Sequence, residues 1–230
     1  MTHSQNTASS QPPDRRVAAL SSGGLDSCVM LAELAKTYAQ VFPLYIRCGL
    51  SWEASEIAAL RRFVSELANP AIQQVEELRF EMTDLYGAAW YASGVGIPGY
   101  HEADERWEIP GRNITLLTKA GVWCSLRSVG NIALGLLASN PFPDATPGFF
   151  SAMQEALSLG LGAPLLLHRP FGCLHKPEVV ALGRDLPLQL TLSCASPVDG
   201  LHCGKCGKCR ERIEAFATAG VKDPTVYAGG

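Results

Sequence analysis

Short apolar runs alternate with helically periodic segments along this chain, and few folds satisfy that alternation. Residues 17–20 form the first run; a turn follows, then a helical pattern from Asp26 through Leu31, Leu34 and Tyr38. A second run, 41–48, precedes a periodic helix over 53–68 whose Ile57, Leu60, Val64 and Leu67 share one face, stopped by Asn69-Pro70. A strand at 72–78 comes next, then an irregular stretch rich in Gly, aromatic and acidic residues up to Pro110-Gly111. Helix 114–126, strand 131–137, helix 147–159, strand 164–168 and a short helix 177–184 continue the series. Strands separated by helices predict an α/β fold, a Rossmann-like parallel sheet with helices on both faces. Its ligands should bind beyond the carboxyl ends of the strands.

A chain of 230 residues, 47% of them hydrophobic, can bury its own core. It divides into a leader over 1–16, rich in Ser, Thr, Gln and Pro and expected to be flexible, a nucleotide-binding catalytic domain over 17–190, and a small C-terminal lobe with tail over 191–230. The formal net charge of -3 gives no basic field for a nucleic-acid backbone, so nucleic acid is not expected as a partner. Lys119 and Arg127 interrupt the longest apolar stretch and no apolar segment follows the N-terminal charges, which predicts a cytoplasmic chain without a membrane anchor. Four of the eight cysteines, Cys28, Cys48, Cys124 and Cys173, stand in apolar surroundings and read as small buried side chains.

The loop after the first run reads Ser21-Ser22-Gly23-Gly24-Leu25-Asp26-Ser27. Two glycines let the backbone approach a ligand, Ser and Asp offer caps for the following helix, and free N–H groups at a helix start attract an anion. A bare Gly-Gly turn needs no ligand to explain it. The full string, however, lacks both the Walker Gly-Lys-Ser/Thr and the third glycine of the dinucleotide fingerprint. Its Ser-Gly-Gly-x-Asp-Ser pattern resembles the PP-loop of the ATP pyrophosphatase superfamily. That resemblance implies ATP bound along Leu20 to Ser27, with Ser22, Gly23, Gly24 and Ser27 as the phosphate cradle and Asp26 as a Mg²⁺ contact.

Near the C-terminus Cys194 precedes Cys203-Gly204-Lys205-Cys206-Gly207-Lys208-Cys209. Short loops with small residues can gather four thiolates, and Gly204 and Gly207 leave backbone N–H groups free to face them. Lys205, Lys208, Arg210 and Arg212 are at hand to offset the excess negative charge. Iron–sulfur patterns usually place the further cysteine downstream and before a proline, whereas here it lies upstream. One structural Zn²⁺ on Cys194, Cys203, Cys206 and Cys209 follows, with no open position for catalysis.

The two motifs in this order resemble the 7-cyano-7-deazaguanine synthase family, over residues 17–216. Three further segments carry the likeness: Ile109-Pro110-Gly111-Arg112-Asn113, the helix-opening Lys176-Pro177-Glu178-Val179-Val180-Ala181-Leu182-Gly183, and the run from His202 to Arg212. The resemblance implies a ligase in which Asp26, Lys176 and Arg112 serve the chemistry, and Asn113, Pro143 and Asp144 the substrate side. Its partners would be a small carboxylic acid and an amine, ammonia by default, and its oligomer a homodimer. Taken alone, Lys176 and Arg112 read equally well as solvated surface charges. Two segments depart from the family: Arg47-Cys48-Gly49-Leu50-Ser51-Trp52 stands where Tyr-Gly-Gln-Arg-His is usual, and Ala145-Thr146 replaces Cys-Arg. The lost arginine removes a bidentate partner for a carboxylate.

Overall fold

A computed structural model describes residues 15–228. The order of elements is β1 (Arg16–Leu20), α1 (Leu25–Leu34), β2 (Gln40–Arg47), α2 (Glu53–Leu67), β3 (Glu76–Arg79), the one-turn helices α3 (Thr83–Tyr86) and α4 (Trp90–Ser93), then α5 (Arg112–Arg127), β4 (Asn131–Leu134), α6 (Pro147–Leu161), β5 (Leu166–His168), α7 (Lys176–Leu182) and α8 (Gly207–Ala219). The five strands form one parallel sheet in the order β3-β2-β1-β4-β5. Chain order therefore reverses between β1 and β4, and the crevice beyond their carboxyl ends is where such sheets take ligands.

The period-two pattern of the strands explains the layers. From β1, Val17 and Ala19 join Val41 and Tyr45 of β2 in a core with α1, α2, α7 and α8. The intervening Ala18 and Leu20 join Leu44 and Ile46 in a second core beneath α5 and α6. Phe63 and Phe216 are fully buried on the first side, each an aromatic whose burial contributes about 2–3 kcal/mol. Fully parallel sheets need both faces covered, which this chain's near-continuous apolar strands require.

Boundaries shift where capping chemistry overrides periodicity. The first helix ends at Leu34 rather than reaching Tyr38, whose backbone N–H closes a turn on the Leu34 carbonyl. The strand expected over 72–78 shrinks to Glu76–Arg79, with only a single bridge from Ile72 to Val41. Residues 1–14 of the leader lie outside the described residues. Arg16 opens β1: it pairs with Gln40, and its carbonyl accepts from Asn131 Nδ2 at 3.0 Å.

Three of the four isolated cysteines, Cys28, Cys48 and Cys124, are buried as expected, but Cys173 is exposed in the turn before α7. The apolar neighbours that suggested burial, Phe171 and Leu174, point into the core and leave it outside. Among the described residues, no helix is long and apolar enough to cross a membrane.

Candidate active site

The loop between β1 and α1 owes its shape to contacts that glycine alone permits. Gly23 adopts φ +79°, and a Cβ there would stand 2.4 Å from the Glu56 carbonyl of α2. Gly24 is the N-cap of α1, which has no side-chain cap: neither Asp26 nor Ser27 caps the helix, and both sit in its first turn. Ser22 and Ser193 do that work. Gly24 N donates to Ser22 Oγ and Leu25 N donates to Ser193 Oγ, both at 3.2 Å. Ser27 Oγ donates to the Gly24 carbonyl at 3.0 Å and accepts from Ser22 N at 3.2 Å. The hydroxyls thus brace the turn, while the Asp26 and Ser27 N–H groups open α1 without a partner among the described residues.

This loop forms one wall of a cleft of about 610 Å³ at the carboxyl edge of the sheet. Leu20, Ser21, Ser22, Gly24, Asp26 and Ser27 line it; Gly23 lies behind, against α2, and Leu25 is fully buried. Gly135, just past β4, lets that strand end approach the Asp26 carbonyl, from which a Cβ at this position would stand only 3.2 Å.

Lys176 reaches the cleft from the start of α7 and is buried, which removes the solvated-surface alternative. Its ammonium bridges Asp26 Oδ2 at 3.1 Å and Glu211 Oε1 at 2.9 Å. Burial works against that charge, but the two carboxylates prevail and raise its pKa. Burial also opposes the charge on Glu211, yet Lys176 and Lys208 hold it down to about 2. Asp26 keeps one buried oxygen, Oδ1, without a hydrogen-bond partner among the described residues. An orphaned carboxylate oxygen in a cleft is the kind of donor that a hard cation takes.

Across the cleft, α5 opens with Arg112 and Asn113 after Gly111, whose φ of +70° permits the abrupt start. Asp144 fastens this helix: its Oδ2 accepts from Asn113 N at 2.8 Å and its Oδ1 from Asn113 Nδ2 at 3.2 Å. Pro143 begins the one-turn 3-10 helix that carries Asp144 and does not itself line the cleft. Arg112 lines the cleft with no side-chain partner among the described residues. Both departing segments have structural duties here. Arg47 is held by Glu77 and Glu53, and Thr146 caps α6 by accepting from Phe149 N at 3.2 Å.

The four cysteines converge beside the cleft, their sulfurs all within 4.8 Å of one another. The Sγ separations are 4.0 Å for Cys194 and Cys206, 3.9 Å for Cys203 and Cys209, and 3.6 Å for Cys206 and Cys209. Such a set could hold a metal ion. Backbone donors to sulfur include Cys203 N, on Cys194, and Lys205 N, on Cys203, with Ala195 and Cys209 facing Cys206, rather than the two glycines. Gly204 supplies φ +72° instead, and Gly207 makes room for Trp107, whose ring lies 2.8 Å from where a Cβ would stand.

Three of the nearby cations also have partners outside the sulfur set. Lys208 pairs with Glu211, Arg210 with Asp104, and fully buried Arg212 donates to Thr225 Oγ1, Thr191 Oγ1 and the Leu188 carbonyl. Trp52, Trp107, Leu50 and Ile109 pack against the cysteines, so this lobe shares an apolar cluster with the cleft wall. Sequence inspection missed Glu211, Ser193, Glu56 and the tryptophans. Only Glu211, one helical turn past Lys208, carried even a local signal.

Comparison with known proteins finds relatives along nearly the whole chain. The family model described as queuosine biosynthesis protein QueC matches residues 16–220. A 7-cyano-7-deazaguanine synthase of Anaeromyxobacter sp. (strain Fw109-5) is 30% identical, over 94% of this chain and 97% of its own. One from Xylella fastidiosa (strain 9a5c) is 31% identical, over 93% and 95% respectively. One from Methanospirillum hungatei is 29% identical, over 92% and 99%. Among solved structures, the U34-tRNA thiolase NcsA from Methanococcus maripaludis aligns with a TM-score of 0.49 at 16% identity, covering 89% of this chain and 65% of that one. With the family model spanning nearly the whole folded chain, the protein belongs to the QueC family and is an enzyme of ligase type.

Proposed function

We propose that this enzyme adenylates 7-carboxy-7-deazaguanine with ATP and converts it with ammonia to the amide, and that a second adenylation, on the amide oxygen, lets AMP carry that oxygen away and leave the nitrile; each adenylation releases pyrophosphate. The observation that carries this reading is the meeting, in one cleft, of an anion-ready loop, a free guanidinium at Arg112 and an orphaned carboxylate oxygen at Asp26. The names of the curated relatives supply the substrate class.

A carboxylate needs no base to attack the α-phosphorus, so catalysis here is alignment and charge neutralisation. The unpartnered Asp26 and Ser27 N–H groups and the helix dipole of α1 receive the leaving pyrophosphate. Arg112 orients the acid by its carboxylate, and its fixed fork suits a planar anion. Asp144, after serving Asn113, retains lone pairs for the donor edge of the deazaguanine ring. Lys176 holds Asp26 in place and adds positive potential beside the phosphates. Asp26 Oδ1 would hold Mg²⁺, which supplies charge neutralisation for the triphosphate.

Zn²⁺ is the ion we assign to the cysteines. Thiolates at the usual Zn–S length of about 2.3 Å stand about 3.8 Å apart on a tetrahedron. The separations of 3.6, 3.9 and 4.0 Å match that spacing, whereas a cubane cluster would spread its thiolates much farther. The chain would work in the cytoplasm, as a homodimer. Incubation with ATP, Mg²⁺, ammonium and 7-carboxy-7-deazaguanine should give AMP, amide and nitrile by mass spectrometry. Production of AMP without amide or nitrile would redirect the search to another amine, and absence of AMP would rule out this acid.

A further inference from the structure

Activating the acid needs no base, but the second half of such a reaction does: ammonium is protonated near neutral pH and must lose a proton before its nitrogen can attack. The cleft's carboxylates are mostly committed. Glu53 Oε1 accepts from Cys48 N at 2.6 Å and Gly49 N at 3.1 Å, and its Oε2 faces Arg47. Glu211 serves Lys176 and Lys208, Asp144 serves Asn113, Asp26 serves Lys176, and Asp104 and Glu214 face Arg210.

Glu56 is the exception. It lines the cleft from the first turns of α2, directly behind the phosphate loop, where its own carbonyl packs on Gly23. It forms no ion pair among the described residues, and its Oε2 accepts one hydrogen bond from the Tyr45 hydroxyl, at 2.9 Å. A carboxylate stripped of water, hydrogen-bonded only by neutral donors and in salt-bridge contact with no cation attracts a small cation that brings its own protons.

We propose that Glu56, oriented by Tyr45, forms the amine subsite and is the base that deprotonates the attacking nitrogen. This rests on the adenylation and amine transfer proposed above. Ammonium gives one proton to the Glu56 carboxylate, and the freed lone pair forms the C–N bond at the acyl carbon. The C–O bond to AMP breaks, AMP leaves with its electron pair, and the second surplus proton on nitrogen passes to the departing phosphate or to solvent. Burial sets the strength of this base. It raises the Glu56 pKa to about 7, against the lowering influence of Arg112 on α5 and the hydrogen bonds from Tyr45 on β2 and Trp52; Glu53 on the same helix adds to the rise. Cys28 on α1 also faces Glu56 and is held neutral by its own burial. A base near 7 is matched to neutral operation.

The test compares wild type with Glu56→Gln in the presence of ATP, Mg²⁺, the acid and ammonium. Acid-dependent ATP–pyrophosphate exchange should persist in the variant, while amide formation falls by about 10²-fold or more and loses its pH limb near 7. Hydroxylamine, unprotonated above neutrality, should restore amide-type product in Glu56→Gln. Tyr45→Phe, which removes the donor and keeps the ring, should move the limb upward. Exchange and amide formation falling together without hydroxylamine rescue would reduce Glu56 to a structural residue and overturn the proposal, as would an unmoved limb in Tyr45→Phe. Absence of exchange in the wild type would overturn the adenylation itself, and the amine subsite with it.

Discussion

In the cleft, strong ligand groups are only partly spent: among the described residues Asp26 Oδ1 is buried without a hydrogen-bond partner, Arg112 forms no salt bridge, and Glu56 feels the Arg112 charge but is hydrogen-bonded only by neutral donors. Around the cysteines the opposite holds. Four sulfurs close on one another, backbone N–H groups point at them, and Lys208, Arg210 and Arg212 all have partners of their own. An orphaned charge inside a protein is costly and persists where a ligand comes and goes. A saturated thiolate set suits an ion that stays. The two regions nevertheless touch, since Cys194 lines the cleft and Glu211, two residues beyond Cys209, anchors Lys176. The cysteine lobe thus reaches the cleft through Glu211, which holds Lys176 beside the β1–α1 loop.

Breaking the closed site should have the largest effect. Structural zinc contributes on the order of 10 kcal/mol to folding in small metal-dependent units. Cys209→Ser or prolonged chelation should unfold α8 and withdraw Phe216 from the core, seen as a collapse of the thermal transition together with stoichiometric zinc release.

Next comes the link between the regions. Lys176→Met leaves partly buried Asp26 without its cation and Glu211 with Lys208 alone, and should cost about 3 kcal/mol in denaturant unfolding. A smaller loss, about 1–3 kcal/mol, is expected for Gly23→Ala, where a left-handed backbone meets the Glu56 carbonyl. That variant should also lose ATP binding, because the loop cannot keep its shape.

Stability against pH separates the two buried glutamates. The folded-state pKa of Glu56 is raised to about 7, so its contribution is fully present below the ordinary value of 4.5 and is lost as pH rises through 7. Glu211 is lowered to about 2, so its contribution is present above 4.5 and is lost as pH falls toward 2. The Glu56 limb is worth up to roughly 3 kcal/mol, at about 1.4 kcal/mol per pH unit, and the Glu211 limb is smaller because solvent screens its one-third-exposed side chain. Glu56→Gln should flatten the fall in stability between 4.5 and 7, which chemical denaturation at graded pH will show. Least affected of all should be Cys173→Ser, within about 0.5 kcal/mol, as the thiol is exposed.

The same division governs what the sequence disclosed. The strands were legible because a sheet covered on both faces demands continuous apolar runs, and the loop and cysteines because their chemistry is local. Contacts across the fold left no local trace. Trp52, Trp90 and Trp107 are far apart in the chain yet form one aromatic group, Trp52 stacked on Trp90 at 5.8 Å and Trp90 edge-on to Trp107 at 5.2 Å. Glu56 looked like one more acidic residue near a helix start, and only folding puts Tyr45 and the phosphate loop against it. Arg210 shows the same limit: its nearness to the cysteines in sequence did not reveal Asp104, which arrives from a distant segment to pair with it.

The most direct test of the central claim follows an oxygen atom. With the carboxylate of 7-carboxy-7-deazaguanine labelled with heavy oxygen, attack on the α-phosphorus predicts one labelled oxygen in AMP for each amide formed. Label in inorganic phosphate, or ADP as the nucleotide product, would contradict adenylation in this cleft.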